Sequence, residues 1–201
     1  MKTTFKNLAN AICFAVVTPI AIACFVGMRL FGRHTAFKGW SQAFSLLPGI
    51  SGNYLRLAFY RWTLSGCSGD SQIGFGTTLS NPDACIHRGV YVGPHCSLGW
   101  VTVEEDVLIS SHVSLLSGAH QHGTHRNDVP IRLQPGVSVP ITIGKASWIG
   151  ERAVVMADVG EHCVIGAGSV VTKPIPDFAV AVGVPAQVIH YRNQNRTISC
   201  A

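Results

Sequence analysis

The chain has 201 residues, of which 12% are charged and 47% are hydrophobic, and its formal net charge is +5. That length suits one domain of moderate core size with an appendage. The sequence contains no Walker loop, no glycine-rich dinucleotide motif after a strand and no basic nucleic-acid motif. Those function classes are set aside, and no nucleic-acid partner is expected. The seven cysteines are scattered without a CxxC pair, which is typical of reduced, cytosolic thiols rather than a disulfide framework.

Charge is unevenly distributed along the chain. Residues 1–69 carry seven Lys or Arg and no acidic residue, whereas the remainder, from Asp70, carries eight basic and ten acidic residues. We therefore predict three parts. These are a basic, apolar, membrane-associated helical segment over 1–69, a β domain over 70–190 and a C-terminal tail over 191–201.

The first predicted element is an apolar helix. Residues 8–28 form an uncharged run of 21 residues, and about 20 apolar residues suffice to cross the hydrocarbon core of a bilayer. Pro19 lies in the middle of the run, where it would kink the helix or turn a shallow hairpin. The sequence therefore leaves open whether residues 8–32 span the membrane or lie in one leaflet. A cleaved signal peptide is the alternative, because MKTTFK resembles a basic leader and AIAC loosely resembles a lipoprotein cleavage site.

A second apolar stretch, over 40–64, contains Arg56, Arg61 and several aromatic residues. Basic and aromatic residues mixed into an apolar helix predict a helix that lies at the membrane interface. Positive charge without acidic residues favours the anionic cytoplasmic leaflet. The alternative is a helix that packs on the main domain.

An internal repeat defines the β domain. From Ile73 onward, an aliphatic residue followed by a small or acidic one recurs near every sixth position. A period of six fits neither an α-helix nor a hairpin, but it fits a triangular solenoid whose aliphatic side chains stack inward in columns. The spacing slips to seven at Ile86, to five at Val103 and to four between Val155 and Val159, which predicts bulged corners. The units are IGFGTT (73–78), LSNPDA (79–84), IHRGVY (86–91), VGPHCS (92–97), VEEDVL (103–108), ISSHVS (109–114), IGKASW (143–148), IGERAV (149–154), VGEHCV (159–164) and IGAGSV (165–170).

The later repeats resemble those of a known family. ITIGKASWIGERAVVM and VIGAGSVVTKPIPDFAVAVGVPAQVI are similar to the C-terminal coils of the hexapeptide-repeat acyltransferases, closest in pattern to the galactoside, maltose and exopolysaccharide O-acetyltransferases. The resemblance covers roughly residues 73–190. It implies a mainly β fold, a left-handed parallel β-helix with one long inserted loop, although crossovers between parallel strands are otherwise right-handed. It also implies acetyl-CoA as co-substrate, no metal, and a homotrimer with each active site between two subunits.

Residues 121–140 interrupt the solenoid, and a long insertion in a compact solenoid usually carries function. The segment before it, HVSLLSGAH, matches the family context of a general base, so the resemblance assigns that role to His120. An imidazole can take the proton of an acceptor hydroxyl near neutral pH, and the oxygen then attacks the thioester directly. For the tetrahedral oxyanion that forms, the resemblance implies the backbone N–H of Glu151.

The resemblance also implies a donor site for coenzyme A along the later coils. Gln187 stands where relatives often have Lys or Arg, so we expect Arg192 to take over a contact to phosphate. Near the acceptor we expect His95 and His122. The implied donor residues are Trp148 and Gly150 at the thiol end, Ala167 and Gly168 along the pantetheine arm, and Thr172 and Lys173 at the nucleotide part.

Two other function classes stay open at this point. β-Helix carbonic anhydrases bind zinc through three histidines, two of them five residues apart, and His95, His120 and His125 would supply such a set. A non-catalytic scaffold would leave His120 without a role. Within the transferases, N-acetylation of an amino sugar or acetylation of a small soluble acceptor would use the same base.

Taken with the N-terminal segment, the resemblance implies an acetyl-CoA-dependent O-acetyltransferase. Its expected acceptor is a sugar or a lipid-linked glycan intermediate of surface polysaccharide biosynthesis. Its expected location is the cytoplasmic face of a bacterial inner membrane, because acyl-CoA is a cytosolic donor.

Overall fold

The computed structural model describes residues 2–193, in which three helices precede a stack of short strands. The helices are α1 (Lys2–Phe31), α2 (Arg33–Ser45) and α3 (Gly49–Thr63). Helix α1 continues through Pro19, so the shallow hairpin considered for this stretch is wrong. Gly32, with φ of 95°, lies between α1 and α2, where a side chain would strain the backbone.

The strands form three sheets of parallel neighbours, apart from one antiparallel pair at the C-terminal end. Sheet A has the order β1-β4-β7-β10, sheet B the order β16-β15-β13-β11-β8-β5-β2, and sheet C the order β14-β12-β9-β6-β3. Strands β15 and β16 make the antiparallel pair. The strands are β1 (Gly66–Cys67), β2 (Gln72–Ile73), β3 (Thr78–Leu79), β4 (Cys85–Ile86), β5 (Tyr91–Val92), β6 (Ser97–Leu98), β7 (Val101–Val103), β8 (Leu108–Ile109), β9 (Ser114–Leu115), β10 (Ile141–Ile143), β11 (Trp148–Ile149), β12 (Val154–Val155), β13 (Val164–Ile165), β14 (Val170–Val171), β15 (Ala179–Gly183) and β16 (Ala186–Tyr191).

This order of sheets is that of a parallel β-helix, in which each coil passes from sheet A to sheet B to sheet C. The predicted fold is therefore confirmed, whereas its left-handed sense stays a prediction from the family resemblance. The first coil starts at Gly66, which pairs with Cys85 of the next coil, four residues before the predicted start of the β domain at 70. Most of the tail predicted over 191–201, with Cys200, lies outside the described residues.

The first residue of each repeat unit points into the interior, as the period predicts. On sheet B, Ile73, Val92, Ile109, Ile149 and Ile165 follow one another up the stack and are all 0% exposed. Each such side chain stabilises the fold by about 1.5–3 kcal/mol through removal from water. The aliphatic columns are thus the core of the β-helix.

The three edges of the β-helix differ in regularity. We call the turns from sheet A to B, from B to C and from C to A the AB, BC and CA edges. Inward residues are six apart across every AB and BC edge, and all the slips in spacing, at Ile86, Val103 and Val159, fall on the CA edge. The long insertion between β9 and β10 falls on the same edge. The CA edge is therefore where the chain departs from its repeat.

Buried hydroxyl and thiol groups at the corners join successive coils. Thr77 Oγ1 donates to the carbonyl of Gly93, and Ser147 Oγ donates to that of Gly160. Cys96 and Cys163 take equivalent places, with Sγ 3.1 Å from the Ser110 carbonyl and 3.0 Å from the Pro176 carbonyl. Burial is the main cause that raises the pKa of both thiols. These cysteines are structural.

Helices α2 and α3 close the open end of the first coil. Phe59 and Tyr60 of α3 are 0% exposed, and Arg56 is 1% exposed, with its Nε donating to the Ile73 carbonyl. The α2 residue Ser41 accepts a hydrogen bond from the Leu79 amide. The prediction of an interfacial helix over 40–64 is wrong, because this stretch forms the end of α2 and all of α3, packed on the β-helix. Its basic and aromatic side chains serve that packing.

Candidate active site

The insertion leaves β9 and returns to β10 as two antiparallel segments. The Val139 amide donates to the Ser117 carbonyl at 3.1 Å, and the Val137 amide donates to the His120 carbonyl at 2.8 Å. His120 is exposed. The insertion thus fixes the backbone of His120 at the CA edge while its side chain faces the surroundings of the β-helix.

The tip of the insertion is held by a buried glutamine. Gln134 is 5% exposed. Its Nε2 donates to the carbonyls of Arg126 (2.7 Å) and Val129 (2.9 Å), and its Oε1 accepts from the Arg126 amide. A single side chain therefore replaces the backbone ladder that a strand pair would supply, which keeps the loop in one arrangement.

A polar cavity of about 360 Å³ lies on the CA side of sheet C at the start of the insertion, and His120 is not among its lining residues. Ser117 and Gln121, which flank His120 in sequence, line it, and Lys38 and Gln42 of α2 line its other side. No sequence pattern indicates these α2 residues, because only the packing of α2 on the first coils brings them there. Further lining comes from Ser80 and Ser97.

The residues expected around the thioester lie at the BC edge of the fourth coil. Trp148 is 47% exposed, and its indole N–H donates to Ser110 Oγ at 3.0 Å, a contact that the sequence did not suggest. A Cβ on Gly150 would lie 2.5 Å from the Ala167 nitrogen, so only glycine lets these coils stack. Among residues 2–193, no backbone acceptor is bonded to the Glu151 amide, which leaves that N–H free for a ligand.

Ala167 and Gly168 lie directly above Glu151 on the same edge. The Gly168 amide donates to the Glu151 carbonyl at 2.8 Å, while the Ala167 amide, like that of Glu151, has no backbone acceptor within the described part of the chain. Gly168 has φ of 69° and open space where a Cβ would stand. This edge therefore presents two outward N–H groups and little side-chain bulk, as the approach of a ligand's amide arm requires.

The remaining donor residues lie on other edges of the same chain. Thr172 and Lys173 follow β14 and are exposed at the CA edge. Arg192 follows β16 at the AB edge, where its Nη1 donates to the His162 carbonyl and its amide to the Phe178 carbonyl. The structure thus gives Arg192 a part in closing the last coil, and its expected contact to phosphate stays a prediction.

One chain does not bring the two halves of the expected site together. His120 lies at the CA edge and Glu151 at the BC edge, with the width of sheet C between them. The four steps along the chain from Glu151 to Val155 span about 13 Å in extended form. A hydroxyl activated by His120 would need an oxyanion donor from elsewhere than Glu151 of the same chain.

The other expected histidines are also separated. His95 lies at the BC edge, and its ring stacks on that of His112 with centroids 5.2 Å apart. His122 and His125 are exposed in the insertion. Among residues 2–193, no three His, Cys, Asp or Glu side chains converge as metal ligands would. Within one chain, the zinc set of His95, His120 and His125 is not assembled.

No described cysteine is an activated nucleophile. Burial raises the pKa of Cys67 to about 12, and burial also raises the pKa of Cys85 at the edge of the first coils. The thiolate is the reactive form of cysteine, so these shifts oppose an acyl-cysteine intermediate.

The sequence was compared with protein-family models. The family described as bacterial transferase hexapeptide (six repeats) matches residues 140–173, which comprise the fourth coil, most of the fifth and the donor residues at the BC edge. The match coincides with coils that the structure shows. Residues 140–173 are therefore similar to the repeats of the bacterial hexapeptide transferases.

Relatives of the hexapeptide family include several acetyltransferases. The galactoside O-acetyltransferase of Escherichia coli K12 is 42% identical over 97 residues, 46% of this chain and 45% of that protein. A putative lipopolysaccharide biosynthesis O-acetyltransferase of the same organism, WbbJ, is 34% identical over 129 residues, 60% of this chain and 63% of that protein. The matches therefore span about half to under two thirds of these relatives.

A solved structure extends the likeness to most of the chain. The galactoside acetyltransferase in complex with coenzyme A superposes with a TM-score of 0.62 and 26% identity, over 78% of this chain and 79% of that one. The coils of the present chain therefore have the arrangement of a family member that was solved with coenzyme A.

Proposed function

We propose that this protein is an acetyl-CoA-dependent O-acetyltransferase that uses His120 as general base. The observation that carries the proposal is the position of His120. It is exposed at the start of the insertion, its sequence neighbours Ser117 and Gln121 line a polar cavity, and the relatives of this chain include O-acetyltransferases.

The reaction follows from the groups at the two edges. The His120 imidazole takes the proton of an acceptor hydroxyl while the oxygen of that hydroxyl forms a bond to the thioester carbonyl carbon. The negative charge on the carbonyl oxygen is held by the free N–H of Glu151. Collapse of the tetrahedral intermediate breaks the C–S bond, and the leaving thiolate takes the proton from the imidazolium. No acyl-enzyme is formed.

The donor would lie along the later coils. The free amide of Ala167 and the open space at Gly168 suit the pantetheine arm, with Trp148 and Gly150 at the thiol end. Thr172 and Lys173 would meet the phosphates, since an ammonium is a point charge that binds phosphate. Arg192 would add a phosphate contact with the guanidinium nitrogens that do not bind His162.

The separation of the edges supports a homotrimer. In this proposal, the CA edge of one copy, with His120, faces the BC edge of its neighbour, with Glu151. A closed threefold arrangement repeats the same pair of edges three times and forms three equal sites.

For the acceptor, we propose a sugar or a lipid-linked glycan intermediate of surface polysaccharide biosynthesis. The hydroxyl and amide groups around the cavity at the start of the insertion suit a hydroxyl-rich ring, and His122 and His95 would border it. The exposed apolar face of α1 and the basic N-terminal third support attachment to the cytoplasmic face of the inner membrane.

The experiment separates donor binding from chemistry. Acetyl-CoA is titrated calorimetrically into detergent-purified, chelator-treated protein, and we expect binding in the micromolar range, about −8 kcal/mol. The His120→Ala variant should keep that affinity within a few-fold and lose transfer of labelled acetyl to a bacterial lipid-linked glycan extract by about 10²- to 10⁴-fold.

His125→Ala is the matched control, because His125 is an exposed histidine of the same insertion. We expect its transfer rate to be unchanged. An unchanged rate in His120→Ala would overturn the assignment of the base, and absent binding of acetyl-CoA would overturn the transferase. Loss of activity in His125→Ala together with bound zinc would favour the metal-dependent alternative.

A further inference from the structure

Helix α1 presents an apolar face that no described residue covers. Residues 8–31 are long and apolar enough to cross a membrane by length and composition. Soluble proteins rarely leave an apolar patch of this extent in water. The side chains of the face are between 42% and 73% exposed, and they are Leu8, Ile12, Val16, Ile22, Phe25, Val26, Leu30 and Phe31.

The opposite face of α1 is docked on the protein over most of its length. Val17 and Cys24 are 1% and 0% exposed. Towards the start of α1, Asn10 Nδ2 donates to the carbonyl of Gly69 in the first coil at 3.2 Å. Towards its end, a Cβ on Gly27 would lie 3.3 Å from Ala36 of α2. These contacts extend over about 25 Å of helix at 1.5 Å per residue.

Aromatic contacts hold the N-terminal half of α1 against α3. The ring of Phe14 stacks on that of Trp62 with centroids 4.6 Å apart, and the Arg61 guanidinium lies 4.7 Å from the Phe14 centroid. The Trp62 indole N–H also donates to the Phe14 carbonyl. The N-terminal half of α1 is thus bound to α3. This is the half that would enter the bilayer first if the helix spanned it.

A membrane-spanning α1 is incompatible with this docking. The hydrocarbon core is about 30 Å thick, so a crossing helix would lose nearly all of the docked length. If the contacts were kept, the polar corner of the first coil at Gly69 would enter hydrocarbon, where its backbone groups would lack water.

We infer that α1 lies flat in one leaflet, with its docked face on α3 and its exposed face among the acyl chains of an anionic bilayer. A helix that is apolar all round needs cover on every side, and protein supplies one side and lipid the other. The choice of anionic lipid rests on charge. Arg29 stands in the last turn of α1, and residues 1–69 contain no acidic residue that would repel phosphate. Arg33, the first residue of α2, is paired with Asp83 instead. This inference deepens the proposed membrane attachment and rests on it, independently of the transfer reaction.

A topology experiment tests the flat arrangement. The full chain, with a short epitope tag ahead of Met1, is reconstituted into vesicles of phosphatidylcholine and phosphatidylglycerol. Trypsin added outside the vesicles identifies the molecules whose coils face outward. For these molecules, binding of an antibody to the tag is measured without detergent. A flat α1 keeps tag and coils on the same side, so the tag should be bound in intact vesicles. A tag that is bound only after detergent would show a spanning helix and overturn the inference.

Flotation of the vesicles tests the face of α1. We expect Ile22→Asp and Val26→Asp to reduce the vesicle-bound fraction at least about tenfold, since each places a charge among acyl chains. Val184→Asp is the matched control, because Val184 is 71% exposed at the opposite end of the β-helix, and its bound fraction should equal that of the unaltered chain.

The flotation results also test the assigned face of α1, the preference for anionic lipid and membrane attachment itself. Normal flotation of Ile22→Asp would overturn the assigned face, and equal flotation on pure phosphatidylcholine would overturn the anionic preference. Absent flotation of the unaltered chain would overturn membrane attachment itself. Acetyl-CoA titration is unaffected by any of these results and reports separately on the proposed transferase.

Discussion

Gln134 shows how much of the candidate site depends on one side chain. Its three hydrogen bonds, to the amide and carbonyl of Arg126 and to the carbonyl of Val129, keep the tip of the insertion folded. An apolar replacement leaves these groups without partners, at a cost of about 1–3 kcal/mol for each group that stays buried. The stability of the tip is therefore local and separable from that of the coils.

For Gln134→Leu we expect the tip to open while the β-helix melts at an unchanged temperature. Limited trypsin digestion checks this, because cleavage after Arg126 and Arg132 should become roughly tenfold faster, following the population of the open loop. Gln187→Leu, at an exposed position on β16, is the control and should be cleaved like the unaltered chain. Unchanged cleavage of Gln134→Leu would mean that the Arg126–Asp128 pair suffices to hold the tip.

At the scale of elements, two helical glycines differ in the space that a side chain would find. A Cβ on Gly39 of α2 would meet nothing within 4 Å, whereas one on Gly52 of α3 would lie 2.1 Å from the Leu47 carbonyl oxygen. Glycine in a helix interior costs about 0.5–1 kcal/mol relative to alanine. Only at Gly52 is glycine required, because the α2–α3 turn approaches this position too closely for a side chain.

We therefore expect Gly39→Ala to raise the thermal midpoint of the detergent-purified protein by a few degrees, for a gain of about 0.5–1 kcal/mol. Gly52→Ala should lower it, because the turn at Leu47 would have to move. Differential scanning calorimetry of both variants gives the comparison. A lower midpoint for Gly39→Ala would show that α2 has a neighbour in the assembled protein at this position.

The elements also show what the sequence could predict. The coils followed from the period of six, because the AB and BC edges keep it and bury a column such as Ile109, Ile149 and Ile165. The location of His120 followed from the one long break in that period. The role of α3 did not follow, since an arginine such as Arg56, bonded to three buried carbonyls, has the same sequence context as one at a lipid surface. The cavity lining by Lys38 also depends on tertiary packing alone.

At the scale of the whole molecule, the distance between edges makes a prediction about mixed assemblies. His120→Ala removes the base, and Ala167→Trp obstructs the donor at the BC edge, so each variant alone should be inactive. If every site joins two copies, random assembly of equal amounts leaves about a quarter of the sites with both halves intact. If each site lay within one copy, every site would carry one defect.

Co-expression of the two variants with different affinity tags, followed by sequential purification, gives the mixed assemblies for a transfer assay. Sequential purification removes trimers of one variant only, and every mixed trimer has one intact site in three, so we expect about a third of the unaltered activity per site. Variants purified separately and then combined are the control and should remain inactive while copies do not exchange. Inactive mixed assemblies would place the site within single copies and contradict the shared arrangement.

The position of the helices at the first coil also sets the distance between His120 and α1. His120 leaves the third coil, and neighbouring coils are about 4.8 Å apart, which puts it roughly 10 Å beyond the first coil. Helix α1, about 10 Å across, contacts the first coil directly through the Asn10–Gly69 hydrogen bond. With α1 at the lipid surface, the base would act some 20 Å above the bilayer, out of reach of a hydroxyl on a sugar directly attached to a lipid phosphate. In the proposed arrangement, the number of coils below the insertion would select acceptors by the length of their head group, and one coil more or less would shift that length by about 5 Å.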